Sequence, residues 1–339
     1  MAKSHKPTIY DVAKAAHVSP TTVSRFLNGQ YQSMSSEARD RIATAVARLG
    51  YTPNRFARGL RSKRSGMIGL LVVNLSYPFA SLLSRGLGQV AYPAGYQVIT
   101  ADFDGSVEKE RQYLHMFSRG QVDGLVIQTE GKNRALLEKI AGELPVVLVD
   151  RNYGIPHTDS IVINDLEASE EMTRHCLQQG YQRVFYFTEP EEGIPPRALR
   201  LQGYIRAMAD RQLPQDIMRV RKESPVEVKE ALRSTLEVAQ KQPTAIYTAN
   251  GLVMLEVLRA RNALKQESLD VPIGLATFDD PDYATALSPP LSAVNVPMED
   301  IGRIAMHMLL RRFEGTQAEE QHIVLRANVV PRESTRTII

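Results

Sequence analysis

Residues 18–29 read VSPTTVSRFLNG, and half of these twelve are Ser, Thr, Asn or Arg. The hydroxyls of Ser19, Thr21, Thr22 and Ser24 are short enough to hydrogen-bond phosphate oxygens without folding back. The guanidinium of Arg25 can fork onto guanine O6 and N7. Val23, Phe26 and Leu27 occur in the same stretch at helical spacing, so they can turn to one side. A short helix of this kind buries its apolar groups and offers hydroxyls and one arginine to a polyanion.

A second set of polar groups lies farther along the chain, at or just after apolar runs. Asn74, Phe79, Asp102, Gln128, Asp150 and Arg151 belong to its first part, and Arg197, Arg200, Asn250, Asp279, Asp280 and Asn295 to its second. Carboxylates accept from sugar hydroxyls, amides donate and accept, arginines hold anions, and an aromatic ring stacks on a C–H face. A lone aspartate after a strand is more often a helix cap than a ligand contact. Asp280 in FDDPDY is set aside on that ground. The weight falls on Phe79, Gln128, Asp150, Arg151, Arg197, Arg200, Asn250 and Asp279 taken together.

Local patterns predict the elements that carry these groups. Thr8 precedes Ile9, Val12, Ala13 and Ala16 on one helical face, and Asp11 can reach back in a capping box. That helix ends near Ala16-His17, where the turn to the next helix needs a left-handed residue. Ser19 caps the second helix with Pro20 at its first position, where a missing N–H costs nothing. Asn28-Gly29 stops it. A third helix runs from about Ser35 to Leu49 and ends at Gly50. Two short helices joined by a tight turn, the second polar, form a helix-turn-helix. Residues 51–65, YTPNRFARGLRSKRS, set five cations around Phe56, Ala57 and Leu60. Such a segment suits a helix that forms only when paired on DNA, with Leu60 wedged between base steps.

From Met67 onward strands and helices alternate. MIGLLVVN, YQVITAD, VDGLVIQT and PVVLVD are near-continuous apolar runs, as expected of parallel strands buried on both faces. RVFYFTE, TAIYTAN and IGLATF repeat the pattern. Two doubly wound halves place a ligand at the C-terminal ends of their strands.

Charge divides along the same line. Residues 1–65 carry 12 Lys and Arg against 3 acidic residues, and the remaining 274 carry 29 against 35. A basic head on an acidic body points the head toward nucleic acid. A length of 339 residues allows two to three domains, and 43% hydrophobic content supports a large core. No run of 18 apolar residues predicts a membrane span. The start, MAKSHKPTIYDV, lacks the apolar region of a secretory signal, and the single cysteine, Cys176, fits a reducing compartment. A cytoplasmic protein is expected.

The stretches TIYDVAKAAHVSPTTVSRFLNG and YTPNRFARGL, followed by this body, resemble the LacI/GalR family of bacterial transcription repressors over essentially the whole chain. The resemblance implies an all-α helix-turn-helix head plus an α/β body, the latter made of two doubly wound parallel-sheet subdomains of periplasmic-binding-protein type. The head covers 1–50 and the hinge helix and linker 51–65. The N-terminal core subdomain covers 66–163 and 294–323, and the C-terminal one 164–293 and 324–339. It also implies a homodimer on a pseudo-palindromic operator in double-stranded DNA, with Pro20, Thr21 and Arg25 facing bases. Tyr10, Ser19, Thr22, Ser24 and Asn28 would contact or flank phosphates, and Asn54, Ala57 and Leu60 would act in the hinge. Arg200 matches the family's effector arginine, Asp279 its sugar-binding aspartate and Phe79 its stacking position.

This sequence departs from the family at His17, Pro20, Gly251 and Val296. Proline cannot donate a side-chain hydrogen bond to a base. Gly251 stands where most members have Asp, which together with three arginines favours an anionic effector. FTEP, PRALR and ANGLVML look similar to the branch that senses 2-keto sugar acids such as 2-ketogluconate or 2-keto-3-deoxygluconate. A sugar phosphate or neutral sugar, or a co-repressor role, is the alternative. An extracytoplasmic sugar-binding protein is opposed by the basic head. A sugar-metabolising enzyme is opposed by the lack of Walker A, G-x-G-x-x-G, H-E-x-x-H and G-x-S-x-G patterns. No cofactor or metal is expected.

Overall fold

The computed structural model describes residues 7–27, 29–32, 34–51, 64–221, 223–267, 269, 271–315 and 319–336. The expected roles of Asn28, Asn54, Ala57 and Leu60 fall outside these residues. The chain forms two compact units, Met1–Ser65 and Gly66–Ile339.

The first unit holds α1 (Ile9–Ala16), α2 (Pro20–Leu27) and α3 (Ser36–Leu49). The expected capping box is present: Asp11 N donates to Thr8 Oγ1 at 3.4 Å, and Thr8 N donates to Asp11 Oδ2 at 2.7 Å. His17 ends α1 at φ 53°, and Gly50 ends α3 at φ 58°, both left-handed. Val12, Ala13, Ala16, Val23, Ile42 and Ala45 form the buried centre, against which Phe26, Leu27, Val46 and Leu49 pack half-buried. Arg41 Nε donates to Ala16 O at 3.3 Å, closing the C-terminus of α1.

The second unit contains two six-stranded sheets. β1 (Met67–Val72), β2 (Gln97–Asp102), β3 (Gly124–Ile127), β4 (Val146–Val149), β5 (Thr158–Ile163) and β11 (His322–Leu325) make the first, in the order β11-β5-β4-β3-β1-β2. All of its pairings are parallel. The second has β6 (Arg183–Thr188), β7 (Asp216–Arg219), β8 (Thr244–Thr248), β9 (Gly274–Phe278), β10 (Ser292–Asn295) and β12 (Asn328–Val330). Its order is β12-β10-β9-β8-β6-β7, with β12 alone antiparallel. The strand direction of winding reverses between β1 and β3 in one sheet and between β6 and β8 in the other. At these points loops part and leave a crevice.

Two boundaries differ from expectation. The strand at 292–295 pairs with β9 and stays in the second sheet, so the return to the first half comes after Asn295 rather than before residue 294. β11 continues to Leu325 in the first sheet, so the last crossing follows 325 rather than 323. An apolar run identifies a strand but not its partner, and hydrogen-bonded neighbours decide membership.

After that return, α11 (Met298–Phe313) docks on α4 (Pro78–Ala91). The two backbones touch through paired glycines. A Cβ on Gly302 would lie 2.3 Å from Leu83 O, and one on Gly86 2.0 Å from Glu299 O. Gly302→Val is therefore expected to destabilise the second unit by about 3 kcal/mol through forced separation of the helices. The urea midpoint should fall with an unchanged slope.

Candidate functional site

α2 turns Val23 inward and leaves part of its polar side exposed. Ser19 Oγ accepts from Thr22 N at 3.1 Å and starts the helix. Ser19, Thr21 and Arg25 are exposed, with Tyr10 on α1 exposed beside them in sequence order, while Pro20, Thr22 and Ser24 are half-buried. The hydroxyls of Ser19 and Thr22 are 2.8 Å apart, so one of their two protons is spent within the pair and one is left for an acceptor outside. Val23 is buried and fixes the rotation of the helix. Phe26 meets the ring of Tyr31 edge-on at 5.7 Å.

The crevice of the second unit holds a cavity of about 110 Å³, room for several water molecules and so more than a packing gap. All eight of Phe79, Gln128, Asp150, Arg151, Arg197, Arg200, Asn250 and Asp279 line it, as does Asn74. The strand topology explains the convergence. Gln128 follows β3, Asp150 β4, Asn250 β8 and Asp279 β9. Asp150 and Asp279 occupy equivalent places in the two sheets and share a left-handed backbone, φ 66° and 67°. Aspartate tolerates that region better than most residues.

Three other strand-end candidates are elsewhere. Asp102 accepts from Leu75 N at 2.9 Å and Asp104 N at 2.7 Å, which makes it a loop cap. Asp280 is neither cap nor ligand contact: it pairs with both terminal nitrogens of Arg332, at 2.8 and 2.7 Å, and ties down the C-terminal segment. Asn295 is exposed on β10 opposite Asn328, and its neighbour Val296 lines the cavity instead.

Every arginine of the crevice has a carboxylate partner. Arg151 Nη1 donates to Glu130 Oε1 at 3.0 Å, and its Nε lies 3.5 Å from Asp150 Oδ2. Gln128 Nε2 donates to the same Asp150 oxygen at 2.6 Å. Arg197 Nη2 is 2.9 Å from Glu189 Oε2, and its Nη1 donates to Pro190 O at 3.0 Å. Arg200 Nε donates to Asp165 Oδ1 at 2.6 Å and its Nη1 to Ala249 O at 2.9 Å, with the guanidinium 3.8 Å over the ring of Phe278. Asn250 plays two parts. Its Oδ1 accepts from Val253 N at 2.9 Å, capping α10 (Gly251–Gln266), and its Nδ2 donates to Glu189 Oε2 at 3.0 Å.

Burial sets the proton affinities. It raises Asp279 from 3.8 to about 7, against the pull of the Gly251 N–H. It raises Asp165 to about 6, with Arg200 acting in the opposite direction. Cys176 is fully buried and its thiol is pushed up to about 12, which leaves it unreactive. Two polar crevice residues were not among the candidates. Tyr77, in the loop before α4, donates its hydroxyl to Asp279 across the gap between the two halves. Glu189 directly follows β6, and the same strand-end rule would have found it. Among the described residues no group of three or more His, Cys, Asp or Glu side chains is placed to hold a metal ion. No helix among them is long and apolar enough to cross a membrane.

Residues 8–54 match the profile of bacterial regulatory proteins of the lacI family, and residues 173–335 match a periplasmic binding protein-like domain. The chain is 34% identical to the HTH-type transcriptional regulator KdgR of Bacillus subtilis (strain 168), over 96% of this chain and 97% of that protein. It is 32% identical to the HTH-type transcriptional regulator PtxS of Pseudomonas plecoglossicida, over 97% and 95%. The fold superposes on the Lac repressor dimer bound to operator and the anti-inducer ONPF with a TM-score of 0.84 at 24% identity, covering 98% of this chain and 100% of that one. A helix-turn-helix head, two parallel-dominated sheets around a polar crevice, and a third of identical residues shared end to end with such regulators place this chain in the LacI family of DNA-binding transcriptional regulators.

Proposed function

We propose that this chain is a cytoplasmic repressor that binds a pseudo-palindromic operator as a homodimer and releases it when a sugar acid occupies the crevice. The carrying observation is the gathering of Arg151, Arg197 and Arg200 with Gln128, Asn250 and Asp279 beside Phe79 in one cavity. The Lac repressor structure, a dimer on operator DNA, supports the homodimer and the operator. In the head, Pro20, Thr21 and Arg25 read bases, and Tyr10, Ser19, Thr22 and Ser24 hold phosphates. The protein acts by binding, without a catalytic step, cofactor or metal. Effector and operator oppose each other by one shared coupling free energy, so DNA weakens the effector by the factor that the effector weakens DNA.

A second reading, a neutral sugar, draws support from the carboxylate paired with each arginine. A thermal-shift screen of neutral sugars, sugar phosphates and sugar acids separates the classes, and operator release followed by fluorescence anisotropy tests the regulatory half. Stabilisation by acids alone, with release, is the expected result. Turnover of any of these compounds would replace the regulator reading with an enzyme.

Arg25 supplies the sharpest test of the head. Arg25→Ala is expected to cost about 1–3 kcal/mol of discrimination between operator and a guanine-substituted site. Because Arg25 is exposed, the melting temperature should stay within about a degree of the parent.

A further inference from the structure

Glu189 lines the crevice with its carboxylate. Its Oε2 receives Arg197 Nη2 at 2.9 Å and Asn250 Nδ2 at 3.0 Å, two donors from different helices converging on one oxygen. It sits directly after β6, beside the point where the winding of the second sheet reverses. Two long helices begin there, α8 (Pro195–Asp210) and α10, and their N-termini favour negative charge. α8 opens with Pro195 and Pro196, which have no N–H to offer, so on that side the donor to an anion is the Arg197 side chain.

The three arginines are not equivalent as anion seats. Arg151 faces two carboxylates, Asp150 and Glu130. Arg200 is buried, with Asp165, the Ala249 carbonyl and the Phe278 ring around it. Arg197 has Glu189 as its one carboxylate contact among the described residues and is the most exposed of the three side chains, at 21%. Burial lowers its proton affinity, with Arg151 and Arg200 repelling it and Glu189 only partly offsetting. Of the three guanidinium groups, Arg197 is thus the one best placed to exchange its carboxylate partner for another.

We infer that Glu189 is an internal stand-in for the effector's carboxylate: the acid group of a sugar acid takes its place on Arg197 and Asn250, and Glu189 thereby sets the selectivity between acids and neutral sugars. The inference rests on the sugar-acid reading given above. A neutral sugar cannot displace Glu189, because it brings no charge to compensate Arg197. A sugar acid can, and its other hydroxyls then meet the remaining crevice groups.

The test uses the full-length protein with 2-ketogluconate and D-fructose, which share their carbon frame and differ in a carboxylate against a hydroxymethyl group. Glu189→Gln keeps an amide oxygen for both donors and removes the competing charge. Calorimetry should show it binding 2-ketogluconate on the order of tenfold tighter than the parent, since a like charge has gone from the seat. Fructose binding should change less than about twofold. Arg197→Gln should move the other way and bring acid affinity down to that of fructose. A pair that merely scaffolds the crevice would weaken both ligands in both variants, and that result overturns the inference. Weaker acid binding in Glu189→Gln alone also overturns it. Operator release by 2-ketogluconate from the parent is measured in parallel. Release with an unchanged Glu189→Gln affinity removes Glu189 from the account and leaves the regulator reading standing. Release by fructose and not by the acid overturns the inference and the sugar-acid reading together, and leaves a regulator of neutral-sugar type.

Discussion

Replacing Arg200 by alanine is expected to abolish the effector response and to cost about 3–5 kcal/mol of folding stability at pH 8. The guanidinium is buried, donates to Asp165 and to the Ala249 carbonyl, and lies over Phe278. Its removal leaves Asp165, whose side chain is 2% exposed, without that cation. Burial already raises Asp165 from 3.8 to about 6, and Arg200 holds it down from going higher. An acid whose folded-state affinity for protons is raised lets the folded state bind more protons than the unfolded one. Its stability contribution is full below the unfolded value and is lost as pH rises through the folded one. Without Arg200 that upper value rises, so the loss in Arg200→Ala concentrates at high pH. Urea unfolding at pH 5 and pH 8 checks this: the variant should recover much of its deficit at pH 5, and Asp165→Asn in the same chain should restore part of it at pH 8. An equal deficit at both pH values would trace the loss to packing over Phe278 alone. Arg200→Ala thus removes the response by two routes, and Arg197→Gln is the cleaner probe of ligand contact.

Asp279→Asn should act in the opposite direction. The wild-type carboxyl is raised from 3.8 to about 7, first by burial, with the Gly251 N–H opposing. Tyr77 from the other half donates to it. By the same sign argument, wild-type stability falls as pH rises from about 4 through 7, because ionising this group in place costs more than ionising it in the unfolded chain. Asparagine does not ionise and keeps an acceptor for Tyr77. The variant's advantage over the parent should grow by about 2–4 kcal/mol between pH 5 and pH 8. Unliganded melting curves across pH 5–9 measure the difference. A constant offset would mean that Asp279 does not titrate in this range.

The head was readable from its residues because its signals are local. The Thr8–Asp11 box, the left-handed His17, the Ser19-Pro20 start and the Gly50 stop each involve partners within a turn of helix. The central strands were equally readable. β1, β3, β4, β8 and β9 are buried on both faces, so their composition is almost wholly apolar. Two of the edge strands gave no such signal. β7 and β11 mix exposed and half-buried residues over four positions, and DIMR and HIVL are too short and too mixed to stand out as buried runs.

The crevice divides in the same way. Strand-end position picked out Phe79, Gln128, Asp150, Arg151, Arg197, Arg200, Asn250 and Asp279, because a doubly wound sheet always opens at the ends of its strands. The state of those groups was not legible. Three arginines read as unspent positive charge, whereas folding brings Glu130, Glu189 and Asp165 against them from 21, 8 and 35 residues away. Asp102 and Asp280 looked alike as strand-end carboxylates, yet one caps a loop and the other anchors Arg332, 52 residues on. Residue type and spacing thus settle which elements form and which side chains reach the crevice, since periodicity and capping act over a few residues. Which strand joins which sheet, where Tyr77 meets Asp279, and which charge compensates which depend on contacts between segments far apart in the chain. Those contacts exist only once burial has excluded water and brought the segments within hydrogen-bonding distance.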